Sequence, residues 1–232
     1  MDIRGKVVLV TGANRGLGKA FVTALLEGGA AKVYAGARNP SSVNIPGSTP
    51  IALDITDPAS VQRAAEQASD VSVVINNAGF LKYGSLLAED SVENLQQHLD
   101  VNTFGTLRVS RAFAPILAKQ GGGALINVLS VLSWLSPPGA GGYSASKSAQ
   151  WGLTNGLRGE LREQGTLVIG VHPAYIDTDM VADVQAPKST PQEVVALTLQ
   201  ALSEDREEVL VSDTSHGVKA SLSSDSPVYL NR

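Results

Sequence analysis

Tyr143 and Lys147 stand four residues apart in the run Tyr143-Ser144-Ala145-Ser146-Lys147, and the small and apolar residues after them read as helix. At that spacing two helical side chains face the same way. A phenol with an ordinary pKa of about 10 is a poor base at neutrality, and lowering it by two units takes about 2.7 kcal/mol of differential stabilisation. A lysine ammonium beside it favours phenolate over phenol, which lets the tyrosine exchange a proton with an alcohol or carbonyl oxygen. Alone the pair says little, because a chain with five tyrosines produces this spacing easily by chance.

A second feature lies near the start of the chain. Thr11-Gly12-Ala13-Asn14-Arg15-Gly16-Leu17-Gly18 follows the apolar run Val7 to Val10, placing three glycines where a strand passes into a helix. A pyrophosphate approaches backbone only where no Cβ intrudes, and a helix N-terminus offers it free N–H groups and the positive end of a dipole. The spacing is GxxxGxG rather than GxGxxG, and the plain alternative is a glycine-rich turn without a ligand. Further on, Ala35-Gly36-Ala37-Arg38 closes the second strand, where a carboxylate would select NAD and an arginine selects the 2′-phosphate of NADP. Arg15 and Arg38 together would form a planar clamp on that phosphate, unless Arg38 simply opens a solvated loop.

Further motifs come in order: Asn76-Asn77-Ala78-Gly79 at the end of the fourth strand, Asn102 in Asp100-Val101-Asn102, and Ser130 thirteen residues before Tyr143. With these, the sequence resembles the short-chain dehydrogenase/reductase family from Lys6 to about Asp213. The resemblance implies an NADP(H)-dependent enzyme that moves a hydride to or from a ketone, aldehyde or alcohol. It implies Tyr143 as the general acid and base, Lys147 as the group that lowers its pKa and holds the nicotinamide ribose, and Ser130 as the partner of the substrate oxygen. Asn102 would help order a water in the proton relay. The cofactor contacts it implies are Gly12, Asn14, Arg15, Gly16, Leu17 and Gly18 in the glycine turn, Arg38, Asp54 and Ile55 on the adenosine side, and Asn77, Ala78 and Gly79 beside the central sheet. Pro173, Ile176 and Thr178, in His172-Pro173-Ala174-Tyr175-Ile176-Asp177-Thr178, resemble the segment that receives the carboxamide. Leu129 replaces a residue that is often serine in the family, and Ala174 replaces a glycine, which matters if that position needs positive φ. Ser133 is a rival to Ser130 with the wrong spacing to Tyr143.

These residues need a scaffold. Buried-strand candidates are Lys6 to Thr11, Ala31 to Ala37, Thr49 to Leu53, Val71 to Ile75, Ala124 to Leu129, Leu167 to Val171 and Glu208 to Val211. Helices fall between most of them, one from Gly16 to about Glu27. Asp57-Pro58 and Thr190-Pro191-Gln192-Glu193 carry the cap, N1 proline and, at Glu193, the capping-box acid that mark helix starts. Strand and helix in alternation predict an α/β fold, a Rossmann-type doubly wound parallel sheet of about seven strands with helices on both faces. A single domain over residues 1–232 is expected, with 213–232, rich in Ser and Asp, as a surface tail.

Composition narrows the partners. Cysteine is absent, which removes thiolate chemistry, and His98, His172 and His216 show no metal-ligand spacing, so no metal is expected. A net charge of -4 without a basic stripe argues against nucleic acid. The start lacks a signal-peptide pattern and no run is long enough to span a bilayer, which predicts a cytoplasmic protein without membrane contact. Trp134, Leu135 and Tyr175 either line an apolar substrate pocket or pack, and Trp151 reads as core or interface. The short stretch between Thr178 and Thr190 predicts a small lid over an open site suited to bulky apolar carbonyls. The family resemblance implies a homodimer or homotetramer built on the helices Ser91 to Lys119 and Tyr143 to Gln164, while the apolar residues there could equally pack within one subunit. The competing reading is a non-catalytic NADP(H)-binding sensor or scaffold of the same fold; an intact Ser130, Tyr143 and Lys147 speak against it.

Overall fold

The computed structural model describes residues 1–230. Side chains along a strand point alternately to its two faces, and Val8, Leu9 and Val10 are all fully buried, so the first strand is covered on both sides. The elements run β1 (Val7–Thr11), α1 (Gly16–Glu27), β2 (Lys32–Ala37), β3 (Thr49–Ala52), α2 (Pro58–Gln67), β4 (Val73–Asn76) and α3 (Ser91–His98). They continue α4 (Thr106–Lys119), β5 (Ala124–Val128), α5 (Gly141–Glu160), β6 (Leu167–His172), α6 (Pro191–Ser203), β7 (Glu208–Leu210) and α7 (Asp213–Ser221). All seven strands pair in parallel, in the order β3-β2-β1-β4-β5-β6-β7. This is the Rossmann-type sheet that the alternation of elements predicts, and each predicted strand lies within two residues of an observed one.

Two apolar layers flank the sheet. Val8, Val10, Ile75 and Ile126 pack with Phe21 and Leu25 of α1 and Leu202 of α6, whereas Leu9, Val74 and Leu125 pack with Phe113 and Leu117 of α4 and Leu157 of α5. Each of these large side chains contributes roughly 1.5–3 kcal/mol on leaving water. Local signals set the helix starts. Asp57 accepts the Ala59 N–H at 2.9 Å, and Thr190 and Glu193 complete a reciprocal capping box.

Two expectations are corrected. The long helix predicted from Ser91 to Lys119 is interrupted by a π-helical segment, Leu99–Gly105, between α3 and α4. Ile55 packs closely against this segment at Gly105, where a Cβ would lie 2.6 Å from Ile55 Cδ1. The expected tail from residue 213 instead opens with α7, capped by Ser212 and anchored by the buried Ser215 and Val218; Ser215 Oγ donates to the His172 carbonyl at 2.7 Å. Residues 231–232 lie outside the described part.

The strand order reverses between β1 and β4. Crossovers from β1 run one way and those from β4 the other, which opens a crevice beyond the carboxyl ends of these strands, the usual ligand position in an open α/β sheet.

Candidate active site

Thr11 ends β1 as a polar residue in an otherwise apolar strand, and its hydroxyl accepts the N–H groups of Asn77 and Ala78 at 3.0 and 2.9 Å. Asn77 Nδ2 returns hydrogen bonds to the carbonyls of Thr11 and Gly12 at 2.9 and 3.2 Å. The glycine turn and the Asn76–Gly79 turn are thereby locked edge to edge across the crevice. The lock explains two of the three glycines without any ligand: a Cβ on Gly12 would sit 2.9 Å from Ala78 Cα, and one on Gly18 would sit 2.1 Å from the Gly12 carbonyl oxygen. Gly12 and Gly16 also have positive φ, +64° and +52°. Gly16 is different, because it is exposed and its Cβ position meets nothing closer than Thr178 Cγ2 at 3.4 Å.

These residues fit a dinucleotide pyrophosphate. Helix α1, like α5, opens with no side-chain cap and no acidic residue in its first turn, and at Arg15 it follows directly on the glycine turn, so its leading N–H groups are open to an anion in the crevice. Arg15 and Arg38 are both exposed, and among the described residues neither is ion-paired. Asp54, after β3, accepts the Thr56 N–H and hydroxyl at 2.9 and 2.7 Å. Burial works to raise its pKa, but those hydrogen bonds and the charges of Arg38 and Arg108 outweigh it and hold the carboxyl below the usual range. Ile55 is buried under the π segment, and Asn14 is half-buried in the turn.

Ser130, Tyr143 and Lys147 come together on the other side of the crevice. Ser130 follows β5, with its hydroxyl accepting the Leu132 N–H at 3.1 Å and its carbonyl accepting from His172 Nδ1 at 3.2 Å. Tyr143 lies in the first turn of α5 and Lys147 one turn later, its Nζ 5.7 Å from the Tyr143 ring centroid. Burial pushes the phenol up to about 12, opposed by hydrogen bonding from Ser130, and pushes Lys147 down to about 7. In the protein alone, desolvation therefore overrides the lowering that a lysine neighbour suggests, and a phenolate needs further positive charge in the crevice. Ser133, the rival serine, is buried, and its hydroxyl has no hydrogen-bond partner.

Asn102 is fully buried in the π segment. Its Oδ1 accepts the Phe80 N–H at 2.8 Å, and its Nδ2 donates to the Phe80 carbonyl at 3.0 Å and to Ser146 Oγ at 2.9 Å. Ser146 in turn donates to the Tyr143 carbonyl at 2.7 Å. The Asn102 side chain is thus a brace between the β4 loop and α5. Pro173 accepts the Val131 N–H at 2.8 Å, and the segment from Tyr175 to Ser189 closes on itself through Asp177 N–H to Ser189 O and Ser189 N–H to Tyr175 O, both 2.9 Å. Ile176 bridges Ser189, and Thr178 reaches over Gly16. Ala174 carries no strain, since Asp205 is the non-glycine residue with positive φ among those described.

Sequence alone leaves Trp134 open between pocket and packing, and the structure gives packing: its ring stacks on His172 at 4.0 Å and meets Trp151 edge-on at 6.2 Å. His98 and His172 are buried structural residues, and His216 is exposed. No group of three or more His, Asp or Glu among the described residues is placed to hold a metal, and no described helix is long and apolar enough to cross a membrane. Sequence reasoning misses Thr11, Ser146 and Gln150, whose Oε1 accepts from Lys147 Nζ at 2.8 Å. For Thr11 a signal exists, a polar residue at the end of an apolar strand.

The family model described as short chain dehydrogenase matches residues 6–189. A short chain dehydrogenase from Burkholderia cenocepacia, solved in complex with NADP, superposes with a TM-score of 0.93 at 41% identity, covering 97% of this chain and 95% of that one. The 1-deoxy-11-beta-hydroxypentalenate dehydrogenase of Streptomyces exfoliatus is 33% identical over 227 residues, 89% of this chain and 82% of its own. The short chain dehydrogenase pigC of Monascus ruber is 35% identical over 199 residues, 78% of this chain. The chain spans 65% of the length of pigC and 44% of the related tazN of Aspergillus terreus. The described fold, the two locked turns and these likenesses agree: the chain belongs to the short-chain dehydrogenase family.

Proposed function

We propose that this protein is an NADP(H)-dependent oxidoreductase that interconverts a ketone or aldehyde and the corresponding alcohol. The observation that carries the reading is the meeting of Ser130, Tyr143 and Lys147 across one crevice from an uncapped helix N-terminus with two exposed arginines. NADPH, when bound, supplies the hydride, and its oxidised nicotinamide supplies positive charge. Arg15 and Arg38 would hold the 2′-phosphate, the first turn of α1 would receive the pyrophosphate, and Pro173, Ile176 and Thr178 would hold the carboxamide. Ser130 donates to the substrate oxygen. Tyr143, protonated in the free protein, gives its proton to that oxygen as the carbonyl carbon is reduced and takes it back in the reverse direction. Lys147 stabilises the phenolate that is left. Tyr83 is half exposed, and its phenol works to raise the pKa of Tyr143. The short stretch between Thr178 and Thr190 suits bulky apolar carbonyl substrates, and the family likeness suggests an assembly of two or four copies.

The test is Tyr143→Phe. It should lower NADPH-dependent reduction of a ketone and aldehyde panel by about 100-fold or more, the size of a lost general acid, with NADPH affinity unchanged. Near-wild-type turnover in this variant would overturn the assignment.

A further inference from the structure

Lys147 Nζ has three N–H donors, and two are committed inside the protein: one to the Val128 carbonyl and one to Gln150 Oε1, both at 2.8 Å. Gln150 is one turn beyond Lys147 on α5 and almost fully buried. Its amide cannot be turned around at no cost. Gln150 Nε2 donates to Thr106 Oγ1 at 2.8 Å, and Thr106 spends its own proton on the Asn102 carbonyl at 2.9 Å, so Thr106 offers the glutamine an acceptor and no donor. A flipped amide would set NH₂ against an ammonium and oxygen against oxygen. Thr106 at the start of α4, its hydroxyl oriented by the Asn102 carbonyl of the π segment, therefore fixes the glutamine with its oxygen towards the lysine.

We infer that Gln150 is a positioning residue for the reaction: it holds the Lys147 ammonium protonated and in place with a neutral acceptor, so that the positive charge still acts on Tyr143. The neutrality matters. A hydrogen bond to an ionised group favours the charged form whether the acceptor is an amide or a carboxylate, but a carboxylate would cancel the field that Tyr143 needs. Burial works against the ammonium here, which makes the second acceptor consequential. The surrounding titratable groups do not supply the effect. On the elements packed against α5, Glu93 of α3 is exposed, His98 of α3 and His172 of β6 are held neutral by burial, and Asp100 of the π segment is paired with Arg108 at 2.7 Å. Tyr83, from the loop after β4, faces Tyr143 and works to raise its pKa.

The inference rests on the proposed role of Lys147, and its test needs no substrate. The Tyr143 phenolate is titrated by near-ultraviolet difference absorbance in the NADP⁺ complex, each protein being referenced to the same protein carrying Tyr143→Phe. Gln150→Met keeps volume and removes the acceptor; Gln150→Glu keeps an acceptor and adds charge. Both should raise the phenolate midpoint, by about one to two pH units, the worth of one hydrogen bond to a charged group. A glutamine that only packs would lower the melting temperature and leave the midpoint of the methionine protein where it is. A midpoint within about 0.3 unit of wild type in that protein overturns the inference, and if it does not fold, Gln150→Leu, which also removes the acceptor without adding charge, is judged by the same criterion. Should no carbonyl be turned over by the wild type, the proposed reaction fails while this titration still reports on Gln150.

Discussion

Arg38 directly follows β2 and Arg15 stands at the start of α1, neither ion-paired among the described residues, and the charge of Arg38 helps hold the Asp54 carboxyl ionised. If the pair grips a 2′-phosphate, Arg38→Ala removes one charge-assisted contact while Arg15 keeps the other. Hydrogen bonds to charged groups are worth about 1.5–3 kcal/mol, which is a loss of about 10- to 150-fold in NADPH affinity. NADH has no 2′-phosphate, so its affinity should stay within a factor of about two. Arg38→Asp should go further and invert the preference, because the new carboxylate repels phosphate and accepts from a ribose hydroxyl. Both partners are at the surface, so raising the ionic strength should narrow the wild-type gap between NADPH and NADH. Fluorescence titration of the two cofactors against each protein measures this ratio. Equal changes in both affinities, or none in either, would refute the clamp.

Two further outcomes follow from the packing. Burial holds His172 at about 3 against an ordinary 6.5, so the unfolded chain binds this proton first as pH falls; its contribution to stability is complete above about pH 6.5 and is lost progressively down to about pH 3. His172→Gln should flatten the decline in urea midpoint between about pH 6.5 and pH 5, and an unchanged slope would show that His172 does not dominate the acid limb. Gly18→Ala places a methyl against the Gly12 carbonyl oxygen, a backbone atom that cannot swing away. The expected cost is about 3 kcal/mol and a melting temperature lower by roughly 6–12 °C, and a protein as stable as wild type would mean that the lock between the turns is looser than described.

The parts of this fold that local rules control are readable in the sequence. The apolar run after Gly5 marks β1, Asp57 and Thr190 mark their helices through capping chemistry, and three glycines at a strand end mark the turn. What cannot be read depends on contacts between distant segments. No local signal distinguishes a π turn at Leu99–Gly105 from an α-helix, since its contacts run to distant segments, to Ile55 at Gly105 and to Phe80 and Ser146 at Asn102. The Ser-rich stretch after Asp213 is solvated by composition, yet Ser215 is buried because it satisfies the His172 carbonyl. Gln150 carries no signal of its own, since a glutamine on a helix is ordinarily a solvated residue and only the tertiary placement of Thr106 and Lys147 gives it partners. The Tyr143 and Lys147 pair is legible, but its electrostatics are not: spacing shows the proximity of two groups and not how deeply both are desolvated.

The central claim is that hydride passes between NADPH and a carbonyl carbon in this crevice. Incubation with NADPH deuterated at the transferring position and a panel of aromatic and aliphatic ketones and aldehydes, followed by mass spectrometry of the alcohols, tests it directly. An alcohol that carries one deuterium on the former carbonyl carbon is expected, with none formed by the Tyr143→Phe protein. NADPH bound but not oxidised, with no labelled alcohol from any member of the panel, would contradict it and favour a protein that holds the cofactor without turnover.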